Sequence, residues 1–156
     1  MIEIAVPGAK SFRLSTAVID FNGTLACDGR LLDGVAERLQ MLSRHLSIHV
    51  VTADTTRTAR AALADLPVDV VVIEDSGQEQ AKRAYLQLFA SEEAVAIGNG
   101  RNDRQLLDAA ELSIAVVGNE GCAAKTLEAA DVVCSNIRDA LDLLLIPTRL
   151  IATLRS

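Results

Sequence analysis

The sequence predicts an α/β fold: a single doubly wound parallel sheet of Rossmann-like type, entered by an N-terminal β-hairpin arm. Three observations carry that prediction. Short apolar runs alternate with helical patterns from residue 17 to the C-terminus, and the segments joining them are short. Val68–Ile73 is a nearly continuous β-branched run, the pattern of a parallel strand covered on both faces. The 156 residues are 50% hydrophobic and 23% charged, which suits one domain, 1–156, with a sizeable core.

The elements follow in order. Ile2, Ile4 and Val6 alternate, Pro7-Gly8 marks a turn, and Phe12 and Leu14 alternate again, so a hairpin is expected whose second strand runs towards Val18–Asp20. Ala17–Phe21 is the first apolar run of the sheet and ends in a glycine turn. Val35, Leu39 and Leu42 are spaced as on a helix within Gly34–Leu46. Strand Ile48–Val51, helix Thr55–Leu66, strand Val68–Ile73 and helix Glu79–Leu88 come next, with Asp54 placed to cap the second of these. Ala94–Ile97, Asp103–Ala110, Ile114–Val117, Cys122–Ala130, Val132–Cys134 and Arg138–Leu145 continue the alternation. Pro147 ends the last helix or opens a short final one, Thr148–Leu154.

Composition removes several classes of function. The net charge is −6, from 15 Lys and Arg against 21 Asp and Glu, so no general attraction to nucleic acid or to an anionic membrane is expected. The only aromatic residues, Phe12, Phe21, Tyr85 and Phe89, cannot furnish both a core and a base-stacking platform. Cys27, Cys122 and Cys134 form no C-x-x-C, and His45 and His49 complete no zinc spacing, which points to free thiols in a reducing compartment. Met1–Lys10 lacks the pattern of a signal peptide, and no apolar run approaches the roughly 18 residues of a spanning helix, so a cytoplasmic protein without a membrane partner is expected.

Ligands of open α/β sheets bind beyond the carboxyl ends of the strands. The polar residues expected there are Asp20 with Asn22-Gly23-Thr24, Thr52 with Asp54, Glu74-Asp75, and Gly98-Asn99-Gly100 with Asn102-Asp103. Lys82 falls near the start of a helix on the same side. A lysine and glycine-turn N–H groups suit a phosphate, and carboxylates suit Mg²⁺. Arg101 is either a solvated loop cation or a substrate contact.

These residues resemble the motifs of the haloacid dehalogenase (HAD) superfamily, in its capless branch that is similar to soluble P-type-ATPase-like phosphatases. Val18-Ile19-Asp20-Phe21-Asn22-Gly23-Thr24-Leu25 resembles the first motif, Asp-x-Asp-Gly-Thr-Leu after an apolar strand. Val50-Val51-Thr52 resembles the second, Lys82 the third, and Gly98-Asn99-Gly100-Arg101-Asn102-Asp103 the fourth, Gly-Asp-Gly-x-Asn-Asp. The resemblance implies a HAD-like hydrolase domain in which Asp20 is the nucleophile of an aspartyl-phosphate mechanism. Thr52, Lys82 and the turn at Gly23 would bind phosphate. Mg²⁺ would lie on Asp20, the backbone carbonyl of Asn22 and Asn99, with Asp103 binding it directly or through its water. The substrate would be a phosphorylated small molecule.

Two positions depart from the family pattern. Asn22 stands where phosphatases carry the aspartate that protonates the leaving group and activates water, and losing such a group costs typically about 10²–10⁴-fold in rate. Asn99 stands where an Mg²⁺-binding aspartate is usual, and an amide brings no charge. A slow phosphohydrolase is therefore expected, the alternative being a weakened HAD fold that serves as a phosphate-ligand-binding or protein-interaction module. A dinucleotide-binding protein would need G-x-G-x-x-G at the first turn, which Asn22-Gly23-Thr24-Leu25-Ala26 does not supply. Asp20 to Thr52 spans 32 positions and Thr52 to Lys82 spans 30, too few for the cap domain of larger relatives or the nucleotide domain of a pump. Capless relatives often close their sites by assembling. The apolar C-terminal stretch Leu141, Leu143–Ile146, Leu150, Ile151 and Leu154 either packs on the parent sheet or forms an interface, and together with the absent cap it leads to the expectation of a homo-oligomer.

Overall fold

The computed structural model describes residues 1–53 and 57–156. Its centre is a six-stranded, wholly parallel sheet built from β3 (Thr16–Asp20), β6 (Ser47–Thr52), β7 (Asp69–Val72), β8 (Ala94–Gly98), β9 (Leu112–Val116) and β10 (Val132–Cys134), in the order β10-β9-β8-β3-β6-β7. The strand carrying Asp20 is thus interior, paired with β6 on one side and β8 on the other.

Alternation along the strands sorts the core into two layers. Ala17, Ile19, Ile48, Val50, Val95 and Ile97 pack with α1 (Val35–Leu42), α6 (Ile137–Leu145) and α7 (Pro147–Leu154). Val18, Val51, Ala94, Ala96 and Ala115 face the other way, towards α3 (Gln78–Leu86) and α4 (Arg104–Ala109), with the partly buried Ala129 beyond α5 (Ala124–Glu128) joining them. Helices on both faces are the doubly wound arrangement that the sequence predicts. Arg38 of α1 donates to both carboxylate oxygens of Asp142 on α6, at 2.7 and 3.1 Å, tying two helices of one layer together.

Several elements differ from the sequence prediction. The hairpin is present as β1 (Ile2–Ala5) and β2 (Ser11–Leu14), but it is no projecting arm. Ile4, Phe12 and Leu14 are buried in the first core layer, and α7 packs on β1. The C-terminal apolar stretch is consumed in the same way: Leu141, Leu144 and Leu150 are buried, and Ile151 and Leu154 pack on the core. Most of that apolarity packs within the chain, while Ile146 stays exposed. β7 is an edge strand with Val70 and Val71 half-buried and Val72 exposed, because a β-branched run reads alike whether one or two strands flank it.

A short ribbon, β4 (Ala26–Cys27) with β5 (Arg30–Leu31), follows the Asp20 turn where only a glycine turn was expected. Its signal lay in Asp28-Gly29: both residues take positive φ, 50° and 74°, as a type I′ hairpin turn requires. The second helix, α2, is described over Thr58–Ala62, and the expected cap at Asp54 and start at Thr55 lie outside the described residues. Among the described residues no helix is long and apolar enough to cross a membrane.

Candidate active site

Asp20 ends β3, and the chain turns at once behind it. The Phe21 carbonyl accepts from the backbone N–H groups of Thr24, Leu25 and Ala26, winding the segment back over the strand end. Gly23 has φ 79°, and a Cβ there would lie 2.4 to 2.9 Å from the Asn99 amide. Only glycine therefore lets the two turns approach so closely.

Around Asp20 the charged groups interlock. Buried Lys82 of α3 donates to Asp20 Oδ1 at 2.5 Å and to Asp103 Oδ1 at 2.6 Å. Thr24 Oγ1 lies 3.1 Å from both Asp20 Oδ2 and Asn99 Oδ1. Burial, and then the neighbouring Asp103 carboxylate, raise Asp20 to a pKa of about 6 against the pull of Lys82 and Thr24. Burial alone would lower Lys82, but the two carboxylates hold it above its usual value, so the ammonium stays charged. One cation shared by two anions accounts for both directions.

Asp20, Asn22, Thr52 and Asn99 line a cavity of about 290 Å³ at the carboxyl end of the sheet, with Asp75, Gln78, Asn102 and Glu120 on its walls. Lys82 sits beneath Asp20, out of the lining. Gly23 faces a neighbouring cavity instead, and Arg101 lies outside the Asp20 cavity. Asp103, expected at the metal directly or through its water, does not line the Asp20 cavity. It is fully buried; one oxygen serves Lys82, and the other accepts from the Asn99 and Gly100 N–H groups at 3.0 and 2.8 Å. Its carboxylate fastens the fourth-motif turn to α3. A Cβ on Gly98 would stand 2.5 Å from it.

Sequence reasoning assigned no role to Thr24 or Glu120 and left Asp75 undecided. Thr24 stood within the first motif, where its hydroxyl could have been tied to Asp20 four residues earlier. Glu120 lies on a loop with no local pattern, and only the fold brings it here.

Among the described residues, no three His, Cys, Asp or Glu side chains gather as a metal-binding group. The chemistry of the cavity donors nevertheless fits Mg²⁺, since all are hard oxygens and Mg²⁺ is usually held by one or two carboxylates with waters and substrate phosphate. Asp20 can take part because a carboxylate offers about four lone-pair sites, and Lys82 and Thr24 occupy two.

Comparison with solved structures decides the fold. Deoxy-D-mannose-octulosonate 8-phosphate phosphatase from Haemophilus influenzae, solved in a cobalt-bound form, superposes with a TM-score of 0.72 at 16% identity, covering 92% of this chain and 94% of that one. The chain has the haloacid dehalogenase fold. The HAD fold also appears in a putative HAD family hydrolase from Streptomyces avermitilis, with a TM-score of 0.71, 21% identity, and 92% and 91% of the two chains covered. The 3-deoxy-D-manno-octulosonate 8-phosphate phosphatase of Moraxella catarrhalis, solved with a magnesium ion, a phosphate ion and a KDO molecule, gives a TM-score of 0.71 at 16% identity over 91% and 94% of the chains. No family model matches the chain.

In sequence, the chain is similar to two uncharacterised proteins of Methanocaldococcus jannaschii. With MJ0073 it is 54% identical over 61 residues, which are 39% of this chain and 66% of that protein. With MJ0072 it is 44% identical over 39 residues, which are 25% of this chain and 89% of that protein. The chain belongs to one sequence family with the latter.

Proposed function

We propose that the chain is a HAD-type phosphohydrolase that transfers a phosphoryl group from a phosphorylated small molecule to Asp20 and then to water. The observation that carries this reading is the Asp20 carboxylate, which lines a polar cavity and is clamped by Lys82 and Thr24. With a pKa of about 6 it is ionised at neutral pH and available as a nucleophile. The chain's own residues divide the work. Thr52, at the end of β6, offers its hydroxyl to the phosphoryl oxygens. Lys82 holds the carboxylate in position and offsets charge from below. The N–H groups of Asn99 and Gly100 are bonded to Asp103 and serve the site by keeping its turn rigid. Mg²⁺, held by Asp20, the Asn22 carbonyl and Asn99, would supply charge neutralisation for the transferring phosphoryl. The free thiols Cys27, Cys122 and Cys134 suit the reducing, cytoplasmic setting we assign to it.

The competing reading, a binding or interaction module, draws on Asn22, which cannot move a proton. Acetyl phosphate with Mg²⁺, followed by acid quench and intact-mass analysis, separates the two. The enzyme gains one phosphoryl mass on Asp20 and releases inorganic phosphate, and Asp20→Asn does neither. A wild type that binds phosphate but neither labels nor turns over is the binding module.

A further inference from the structure

Asn22 leaves the proposed reaction without a proton donor, but Glu120, from elsewhere in the chain, lines the same cavity. The turn at Asn22-Gly23-Thr24 separates two cavities. Asn22 lines the one containing Asp20, about 290 Å³, while Gly23 and Thr24 line a neighbouring one of about 250 Å³. Among the described residues, Glu120 is the one that lines both. The second cavity is walled by Asp33, Asn119, Asn136 and Arg138 together with the apolar Leu32 and Val116, a surface suited to a small polar alcohol. A phosphate ester with its phosphoryl group at Asp20 and its alcohol part in the second cavity has its breaking bond at the boundary, beside Glu120.

The loop that carries Glu120 is held to the site. Gly121 N–H donates to the Gly118 carbonyl at 2.9 Å, so Asn119 and Glu120 form the tip of a tight turn. The Asn99 side-chain amide donates to the Gly121 carbonyl at 3.0 Å, and Ala123 N–H donates to the Asn99 carbonyl at 2.8 Å. An aspartate at 99 has no donor for Gly121 and would set a carboxylate oxygen against a carbonyl oxygen. The two departures from the family pattern thereby become one arrangement: carboxylate lost at position 22, amide gained at 99 to hold the turn that bears Glu120. Asp75 is a poorer candidate, since it does not line the second cavity and its carboxylate accepts from Gln78 Nε2 at 2.9 Å. Among the described residues Glu120 has no ion pair or side-chain hydrogen bond competing for it.

We propose that Glu120 is the general acid and base of this enzyme, with Asn99 as its positioning residue and the second cavity holding the alcohol part of the ester. The assignment rests on Asp20 being the nucleophile. In the first step an Asp20 oxygen bonds to phosphorus, the bond from phosphorus to the ester oxygen breaks, and that oxygen takes the proton of the Glu120 carboxylic acid. In the second, water attacks the aspartyl phosphate and gives its proton to the Glu120 carboxylate. The bond from Asp20 to phosphorus then breaks, releasing inorganic phosphate and regenerating both carboxyl groups.

Acetyl phosphate tests the second step in isolation, because acetate leaves without needing a proton. With Mg²⁺ present, Glu120→Gln should still label on Asp20 but turn over about 10²-fold or more slowly, so that phosphorylated enzyme accumulates well above the wild-type level. Adding Asn22→Asp to Glu120→Gln supplies a carboxylate beside Asp20 and should recover turnover at least tenfold, a larger factor than Asn22→Asp gives in wild type, whereas a structural role for Glu120 would leave the two factors equal. Equal turnover and equal labelling in wild type and Glu120→Gln overturn the assignment of Glu120 while leaving Asp20 in place. A Glu120→Gln protein with a native circular dichroism spectrum that no longer labels also overturns it. A wild type that neither labels nor turns over removes the Asp20 reading and Glu120 with it.

Discussion

At the scale of single residues, the feature that most constrains this molecule is Lys82. Its ammonium is buried and touches two carboxylates, Asp20 and Asp103, that are themselves buried. Removing the cation leaves two anions facing one another in a poorly solvated place, and breaking a buried ion pair from one side typically costs about 3–5 kcal/mol. Lys82→Met should therefore lower unfolding stability by about that amount at pH 8, as read from urea denaturation. Asp20, pushed up to about 6 by burial and by Asp103, has a folded-state pKa above its unfolded one, so stability is recovered as it protonates. The deficit should shrink as the pH is lowered towards 5, and Lys82→Met with Asp103→Asn should lie between the single variant and wild type at pH 8. A deficit that does not change with pH would mean that lost packing, and not uncompensated charge, sets the cost.

At the scale of elements, β6 and α3 meet in a cluster that the proposed chemistry does not use. His49 of β6 stacks on Phe89 with ring centroids 4.5 Å apart and shares a hydrogen bond of 2.9 Å with the Tyr85 hydroxyl of α3. Its Nε2 is buried with no partner among the described residues. Burial lowers the imidazole below its ordinary value, opposed by Asp69 at 3.6 Å. The folded protein thus prefers neutral His49. Its contribution is fully present above the unfolded pKa of about 6.5 and is lost as the pH falls through the lower folded value. His49→Phe, which keeps the ring packing, should lose less stability than wild type between pH 7 and 5. Parallel curves of stability against pH for the two proteins would show that His49 does not titrate in that range.

At the scale of the whole molecule, the two chain ends close one face of the sheet. The hairpin packs there beside α7, the N-terminal ammonium donates to the His45 carbonyl, and Ser156 Oγ donates to the Gly8 carbonyl at 3.4 Å. Leu150 is fully buried in this layer. Leu150→Ala should cost about 2–5 kcal/mol, the range for emptying a core position, and the loss should be the same at low and high protein concentration. A cost that grows on dilution would place Leu150 in a contact between copies.

How much of this was legible in the sequence depends on the range of the interaction involved. The alternation of apolar runs marked all six parallel strands near their observed bounds, and the break behind Asp20 followed from Asn22-Gly23-Thr24. Strand-end carboxylates, Thr52 and Lys82 could be assigned to one edge because parallel strands all end there. Those are local patterns combined with one topological rule. Burial order was different: Val68–Ile73 reads as an interior strand and lies at the edge, because the number of flanking strands is a property of the sheet. Asp103 reads as a group serving Mg²⁺ directly or through its water, and its tie between Lys82 and two backbone N–H groups was not legible, since a motif states a residue type and not the direction of its oxygens. Glu120 stands 100 positions from Asp20 in the chain and at its cavity in the fold. The sequence by itself determined the layered fold, the Asp20 turn and the two missing carboxylates. The tertiary structure decided that Glu120 joins Asp75 on the cavity wall, because that depends on how the loop after β9 packs against a turn at the end of β8, a contact that no local pattern encodes.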